Sequence, residues 1–286
     1  MLSLEPSQAK QSPVRRAFYR GRDCFTPFSL FKGCGYIRPT LRIAQELQQV
    51  DIHLSGGKIK KMNNLIIKAF GGLFFLVLVL AVALFLPAGT LSYWQAWVFL
   101  ALWTVSVGAI TLYLMKRDPG LLERRVAAGP VAEQEKSQKL IQGLASLAFI
   151  VMFVVPALDH RFGWSTVPLV VVIAGDILVV FGLYSVFLVF KENTFTSAVI
   201  AVGDEQKIVS TGPYAIVRHP MYAGAFIMLL GVPLSLGSWW GLLPIVPMIS
   251  VIVWRLLEEE KFLLKNLDGY AGYRNKVKYR LIPFIW

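Results

Sequence analysis

The stretch LIIKAFGGLFFLVLVLAVALFL, residues 65–86, decides the fold class of this chain. It carries one charge, Lys68, and a helix needs about 20 apolar residues to cross the hydrocarbon core of a bilayer. Three further apolar runs follow at about 93–115, 140–158 and 166–190. The sequence therefore predicts an all-α protein, a polytopic transmembrane helical bundle.

The composition agrees with a membrane protein. Of the 286 residues, 56% are hydrophobic and 16% are charged, against about 25% charged residues in ordinary globular domains. The net charge is +12, but the basic residues lie in short segments between apolar runs and form no long basic face. This pattern is typical of the positive-inside rule and of attraction to anionic headgroups. We therefore expect membrane lipids as partners and no nucleic acid.

The distribution of Lys and Arg predicts an orientation. The 116–139 segment and the chain after residue 255 are rich in both, whereas 87–93 and 237–240 contain neither. The positive-inside rule then places both termini, the 116–139 loop and the 191–221 segment on the cytoplasmic side. We expect a multi-pass integral membrane protein whose polar segments share one face, where a soluble cofactor can reach them.

The last apolar arms are shorter than the first four. They span about 222–236 and 239–256 and are separated by Gly237-Ser238, which favours a helical hairpin followed by a cytoplasmic C-terminal helix. The hairpin lies in the second of two regions, residues 165–286, in which we place the chemistry. The first region, residues 62–164, holds the N-terminal transmembrane helices.

Residues 1–61 differ from the rest of the chain, because they are polar and basic and contain no sustained apolar run. We expect this extension to be poorly ordered. A native start at Met62, which comes directly before the first apolar run, is an alternative.

Metal binding finds no support in the sequence. The two cysteines are Cys24 and Cys34, and the three histidines, His53, His160 and His219, lie far apart. None of them has the spacing of metal ligands, so we expect no metal.

The segment GPYAIVRHPMYAG, residues 212–224, is the first that carries chemistry. Gly212-Pro213 and His219-Pro220 favour non-helical backbone directly before an apolar helix. The segment offers backbone polar groups, a guanidinium, an imidazole and two phenols, which suit recognition of a polar cofactor. The residues alone also allow an interfacial loop in which Arg218 snorkels and the tyrosines join the aromatic belt.

The second such segment is RLLEEEKFL, residues 255–263. On a helix Arg255 and Glu259 lie four residues apart and share one face. Glu260 points about 100° away from Glu259, so the two carboxylates can serve different partners. Consecutive carboxylates at the end of a membrane helix are costly unless they are paired or solvated. A solvated helix with local ion pairs is the alternative.

Together the motifs G-P-Y-x-x-V-R-H-P-x-Y-x-G and R-x-x-x-E-E-x-x-L resemble the isoprenylcysteine carboxyl methyltransferase and phospholipid methyltransferase superfamily of integral membrane enzymes. A Tyr-x-x-Tyr at residues 270–273 and an Ile-Pro at 282–283 extend the match. The resemblance covers about residues 165–286, and the upstream helices match by hydropathy alone. It is more specific for the superfamily than for the substrate.

The resemblance implies that S-adenosylmethionine binds at the cytoplasmic side, between the R-H-P loop and the E-E helix. It implies a substrate-side catalytic pair, Arg255 and Glu259. By position, the cofactor-binding residues that it implies are Gly212, Tyr214, His219, Tyr222 and Glu260. Family members often place Phe-Gly after the E-E-x-x-L motif where this chain reads Leu267-Asp268, which weakens the transfer of contacts to Tyr270 and Tyr273.

The activity that the resemblance implies is methyl transfer to a lipidic or prenylated acceptor, foremost a prenylcysteine-type carboxylate. Such a carboxyl group, with a pKa of about 3.3–3.7, is already ionised at neutral pH, so it needs aiming and no base. Arg255 can aim it bidentately.

Three alternatives stay open. A phospholipid amine N-methyltransferase would need a base, for which Glu259 or His219 is a candidate. An NADPH-dependent membrane reductase resembles this superfamily in its C-terminal part, although its loop more often reads R-H-x-N-Y. A non-enzymatic membrane scaffold could have kept the fold without the chemistry.

Overall fold

The computed structural model describes residues 37–127, 136–196, 198 and 207–286, with side chains at residue 57 and from residue 60 onward. The described chain is helical and contains no strand. Its helices are α1 Ile37–Ala88, α2 Trp94–Arg117, α3 Pro119–Val126, α4 Lys136–Phe162, α5 Leu169–Glu192, α6 Pro220–Ser235, α7 Ile245–Asn266 and α8 Tyr270–Lys276. Two 3₁₀ turns, Gly212–Ala215 and Trp240–Leu242, precede α6 and α7.

Five segments of the described chain are long and apolar enough to cross a membrane. They are Lys60–Ala88, Trp94–Arg117, Lys136–Phe162, Leu169–Glu192 and Trp240–Asn266. Their outer surfaces are strongly apolar; for example, Phe74 and Leu86 are 72% and 75% exposed. Such exposure is expected only where lipid covers the surface. The predicted all-α transmembrane bundle is therefore confirmed.

The first helix begins within the N-terminal extension. Residues 37–61 are helical, and the poor order that the sequence predicts for residues 1–61 stays a prediction. No proline lies between Pro39 and Pro87, and a helix that has nucleated in the apolar run can extend through residues that do not break it. Residues 1–36 and the question of a native start at Met62 lie outside the described part.

The core runs along the bundle and takes at least one side chain from each of its main helices. Leu84 of α1, Phe99 of α2, Phe153 of α4, Val179 of α5 and Val232 of α6 are all buried in it. Each residue comes from the inward stripe of a helix whose other face is apolar and exposed. Burial in this protein is thus decided by helix packing and not by hydrophobicity alone.

Helices α5 and α6 approach so closely that glycine is required between them. A Cβ added to Gly182 would lie 2.5 Å from the backbone nitrogen of Met228. One added to Gly231 would lie 2.7 Å from the carbonyl oxygen of Gly175. Small residues permit this approach, which is typical of helix pairs in membranes. The short α6 has only 16 residues. Its close packing holds it against α5, which is long enough to cross the membrane.

The turn after α6 is tied to the ends of the other helices. Gly237 has a positive φ of 69°, and the Tyr93 hydroxyl donates to the Leu236 carbonyl at 2.6 Å. Ser238 donates to the buried Asp159, whose carboxylate also accepts from the Ser165 hydroxyl at 2.6 Å. These contacts confirm the predicted hairpin of α6 and α7.

The same contacts sort the connecting segments into two groups. The ends of α1 and α4 and the hairpin turn meet at one end of the bundle. The end of α2, the start of α4, the end of α5 and the start of α6 therefore lie at the other end. This is the arrangement that the charge pattern predicts, with the basic segments sharing one face.

Candidate functional site

A cavity opens among the basic segments and extends into the helices. Its volume is about 810 Å³, which lies within the range of small-molecule sites. The polar part of its wall includes Arg125, Tyr214, His219, Tyr222, Arg255 and Glu259. The apolar part includes Phe75, Leu76, Phe149, Ile150, Met248 and Ile252. The site is thus polar at the membrane surface and apolar within the bundle.

The R-H-P loop is held in place by the chain that follows α8. The backbone N–H groups of Arg218 and His219 donate to the carbonyls of Tyr279 and Arg280, both at 2.9 Å. Pro220 then starts α6 at a position where no N–H donor is needed. The two segments that carry the sequence motifs are in this way joined through their backbones.

Glu260 is the centre of a buried ion cluster beside the cavity. One of its oxygens accepts from Arg218 Nε at 2.7 Å and lies 3.2 Å from His219 Nε2, and the other accepts from Arg280 Nε at 2.9 Å. Arg218 also donates to the carbonyls of Val277 and Lys278 at 2.9 and 2.7 Å. A buried carboxylate with this set of partners is stable as an anion, because both of its oxygens accept hydrogen bonds from guanidinium groups.

Glu259 points into the cavity and serves different partners from Glu260. Its carboxylate accepts a hydrogen bond from the Tyr222 hydroxyl at 2.7 Å. Arg255, one turn earlier on the same face of α7, donates to the Gln142 side chain at 3.0 Å and to the Ala198 carbonyl at 3.0 Å. The i, i+4 pair of the sequence motif is therefore fixed on the cavity wall by contacts from α4 and α6.

Tyr214 is positioned from two sides. Its hydroxyl accepts from the Asn193 amide at 3.0 Å, and its carbonyl accepts from the Tyr273 hydroxyl at 2.8 Å. Burial raises the pKa of Tyr214 to about 12, and the hydrogen bond from Asn193 offsets part of that rise. The phenol is therefore neutral at physiological pH and cannot act as an anionic ligand.

Gly212 lies outside the cavity wall. Its φ is +55°, and an added Cβ would lie 2.9 Å from the carboxyl carbon of Glu192. The adjoining Thr211 hydroxyl donates to the same carboxylate. A glycine is required because the loop turns tightly against the end of α5, and this turn sets the position of Tyr214.

Two buried hydroxyls on the wall, those of Thr196 and Tyr270, have no hydrogen-bond partner among the described residues. A buried polar group without a partner costs about 1–3 kcal/mol, so such groups mark a place where a polar ligand fits. S-adenosylmethionine has ribose hydroxyls, an adenine and an amino-acid group that can satisfy them. The residues present therefore fit this cofactor.

The structure brings most of the sequence-derived site residues together. Tyr214, His219, Tyr222, Arg255 and Glu259 line the cavity. Glu260 and Gly212 are not among the lining residues and contact groups behind the wall.

Sequence reasoning missed Arg125, Asn193 and Thr196, which also line the cavity. The sequence indicates only that Arg125 belongs to the basic 116–139 segment. Asn193 and Thr196 come directly after α5, where the sequence carries no recognised motif.

Tyr270 and Tyr273 reach the cavity despite the departure at Leu267-Asp268. Gly269, with φ +81°, supplies the left-handed turn two residues after Leu267 and starts α8. A left-handed turn is therefore present directly before the two tyrosines, although it falls at Gly269 and not at Leu267-Asp268.

A transmembrane helical bundle with a half-polar, half-apolar cavity defines a class: integral membrane proteins with a ligand-sized cavity that is polar at one end and apolar at the other. Comparisons with known proteins agree with this class. The family model for phospholipid methyltransferase matches residues 170–268. Protein-S-isoprenylcysteine O-methyltransferase B of Arabidopsis thaliana is 30% identical over 154 residues, which are 51% of this chain and 72% of that protein.

Two further relatives carry the same name or a probable form of it. Protein-S-isoprenylcysteine O-methyltransferase of Schizosaccharomyces pombe is 38% identical over 76 residues, which are 24% of this chain and 30% of that protein. The probable enzyme of Oryza sativa subsp. indica is 29% identical over 138 residues, 46% of this chain and 66% of that protein. The chain thus spans less than a third of the fission yeast relative and about two thirds of the plant ones.

This chain belongs to the isoprenylcysteine carboxyl methyltransferase and phospholipid methyltransferase superfamily. The predicted superfamily is confirmed, and so are the predictions of a methyltransferase family and of several membrane-spanning helices.

Proposed function

We propose that this protein transfers a methyl group from S-adenosylmethionine to the carboxylate of a prenylcysteine-type acceptor. The observation that carries the proposal is the two-part cavity. Its polar end contains orphaned hydroxyls and the Arg255–Glu259 face, and its apolar end is formed by α1, α4, α6 and α7. Such a cavity matches a polar methyl donor that meets the polar end of an acceptor with a long apolar chain.

The polar end supplies contacts for the cofactor. Tyr270 and Thr196 offer hydroxyls, and Tyr214 and His219 flank them on the R-H-P side. Glu260 and Gly212 act indirectly, since Glu260 fixes Arg218 and His219, and Gly212 sets the turn that carries Tyr214. We therefore assign Tyr214, His219 and Tyr222 to direct contact with the cofactor. Glu260 and Gly212 position these side chains.

The apolar end accommodates the acceptor chain. Phe75 and Leu76 of α1 and Phe149 and Ile150 of α4 line it, and the exposed faces of the same helices are apolar. A prenylated acceptor can therefore enter from the bilayer without leaving an apolar environment.

When bound, S-adenosylmethionine would supply an electrophilic methyl group on a sulfonium; transfer of that methyl group to the acceptor carboxylate would give a methyl ester and leave the cofactor as a neutral thioether. This transfer releases no proton, so no general base is required. Arg255 holds the carboxylate and aims one oxygen at the methyl carbon. Glu259 orients Tyr222, and the surrounding helices exclude water that would solvate the carboxylate.

The proposed orientation has the cavity mouth and both termini on the cytoplasmic side. It rests on the basic segments that surround the mouth, such as 116–127 and the chain after Arg255, and on the positive-inside rule. The methyl donor would then reach the site directly from the cytoplasm.

The proposal is tested with purified protein in lipid nanodiscs, methyl-labelled S-adenosylmethionine and an N-acetylated S-farnesylcysteine. We expect label in the acceptor that alkali releases as volatile methanol, because methyl esters hydrolyse and N-methyl groups do not. Label that resists alkali and appears in an amine lipid would replace this function with N-methylation. No transfer to either acceptor would refute a methyltransferase role.

Arg255→Ala and Glu259→Ala assign the roles within the site. We expect each variant to insert and to bind S-adenosylmethionine, yet to lose methyl transfer by at least about 100-fold, as alignment supplies several kcal/mol of barrier lowering. Glu258→Ala, the neighbouring carboxylate that pairs with Lys261 at the surface, is the control. Turnover like that of the wild type in either site variant would remove that residue from the mechanism.

A further inference from the structure

A second arginine, Arg125 of α3, reaches the cavity from a part of the chain that carries none of the sequence motifs. Helix α3 starts at Pro119, and the Asp118 side chain caps it by accepting from the Leu121 N–H at 2.8 Å. Leu121 and Leu122 are buried, and Arg125 follows them by four and three residues on the same face. The helix is therefore rotated so that Arg125 points inward.

The guanidinium of Arg125 is held rigidly. Its carbon lies 5.1 Å from the ring centroid of the buried Phe190, within the range of a cation–π contact. Burial lowers the pKa of Arg125, Tyr222 and Glu259 oppose that shift, and the positive charge of Arg255 adds to it. Two guanidiniums thus act on the same desolvated wall of the cavity.

The formal charges on this wall favour an anionic ligand. Glu260 pairs with Arg218 and Arg280. Among the described lining residues the carboxylate is that of Glu259, while the cationic residues are Arg125, Lys207, Arg218 and Arg255, of which Arg218 is paired with Glu260. Glu259 offsets part of this positive charge, and a bound carboxylate would offset more of it in a medium of low dielectric constant.

We propose that Arg125 binds the acceptor carboxylate together with Arg255 and makes the site selective for anionic over neutral or cationic acceptors. The inference rests on the proposed function and extends it to substrate selection. An ammonium acceptor of a phospholipid would meet two guanidiniums at this wall and would be disfavoured. A carboxylate can accept from both guanidiniums, since its two oxygens carry about four lone-pair sites.

The test measures binding and turnover separately. Calorimetric titration in nanodiscs gives the Kd of N-acetyl-S-farnesylcysteine and of its uncharged carboxamide, and the ratio of the two values reports carboxylate recognition. We expect the wild type to bind the acid at least tenfold more tightly than the amide. Arg125→Gln is expected to lower this ratio about tenfold, and Arg125→Lys, which keeps the charge and loses the planar fork, to lower it less.

Arg117→Gln is the matched control, because it removes the same charge from an exposed position at the end of α2. We expect it to keep the wild-type ratio. The S-adenosylmethionine Kd and the apparent Tm of each variant show whether the site stays folded.

Two results would overturn the inference. One is an Arg125→Gln variant with the wild-type ratio, and the other is a variant that loses cofactor binding as well, which would assign Arg125 to the carboxylate of the cofactor if the Tm is unchanged and to folding if the Tm falls. Methyl ester formation on the same samples tests the proposed function independently. A wild type that discriminates acid from amide but forms no ester would refute the proposed function and leave the role of Arg125 standing.

Discussion

Removal of the Glu260 carboxylate is the perturbation whose effect the structure defines most sharply. The side chains of Glu260 and Arg218 are only 6% and 4% exposed, and they are joined by a hydrogen bond of 2.7 Å. Arg280 and His219 contact the same carboxylate. Glu260→Ala would therefore leave the buried Arg218 guanidinium without its counter-charge and would release the chain that follows α8.

The size of the effect follows from these contacts. Breaking a buried ion pair by removing one partner costs about 3–5 kcal/mol, since the remaining charge is left uncompensated. In a protein of this size about 1 kcal/mol shifts the Tm by roughly 2–4 °C, so the expected fall is about 6–20 °C. Glu260→Gln keeps the shape and one acceptor oxygen, and should cause a smaller fall.

The assay is thermal unfolding in detergent, followed by tryptophan fluorescence, with Glu258→Ala as the control. Glu258 sits two residues earlier on the same helix and pairs with the 71% exposed Lys261, so its loss should cost about 0–1 kcal/mol. Equal apparent Tm values for the two alanine variants would refute the reasoning. In that case Glu260 would not hold the R-H-P loop to the C-terminal segment.

Two further predictions concern the helix pair and the cofactor contact. Gly182→Ala should destabilise the bundle by about 1–3 kcal/mol, because its Cβ meets the Met228 backbone. Gly143→Ala should be neutral or slightly stabilising, because nothing lies within 4 Å of its added Cβ. Equal losses of stability in the Gly182 and Gly143 variants would contradict the packing argument. Tyr270→Phe should leave the Tm of the cofactor-free protein unchanged or raise it, because the hydroxyl that it removes is buried without a partner, and should weaken S-adenosylmethionine binding roughly 2- to 10-fold through loss of one hydrogen bond to the cofactor. Tyr184→Phe changes a residue that is 53% exposed and should leave the affinity for S-adenosylmethionine unchanged. Calorimetric titration of both variants measures the difference.

Local sequence was sufficient to predict the membrane spans and the two motifs. An apolar run such as 65–86 has one stable form in a bilayer, since its backbone must satisfy its own hydrogen bonds as a helix. The four-residue spacing of Arg255 and Glu259 placed them on one face, and the 100° offset of Glu260 predicted a different partner for it. Both expectations hold, because helix geometry alone determines them.

Which side chains the motif residues contact depended on the tertiary structure. Glu260 meets Arg218 across 42 residues of chain, and no local rule specifies such a contact. Arg125 looked like one of several loop cations, since the positive-inside rule explains a basic loop without assigning any member of it to a site. Its inward position follows from the Asp118 cap and from two buried leucines of α3.

The sequence by itself thus determined where the long apolar segments lie, and it determined which short motifs carry titratable groups, because helix periodicity and hydrophobicity are local properties. Only the tertiary structure decided which carboxylate faces the cavity and which is buried in an ion cluster. It also decided that Arg125 shares a wall with Arg255. These outcomes depend on the packing of α3, α6 and α7 against one another, which is set by contacts between residues far apart in the chain.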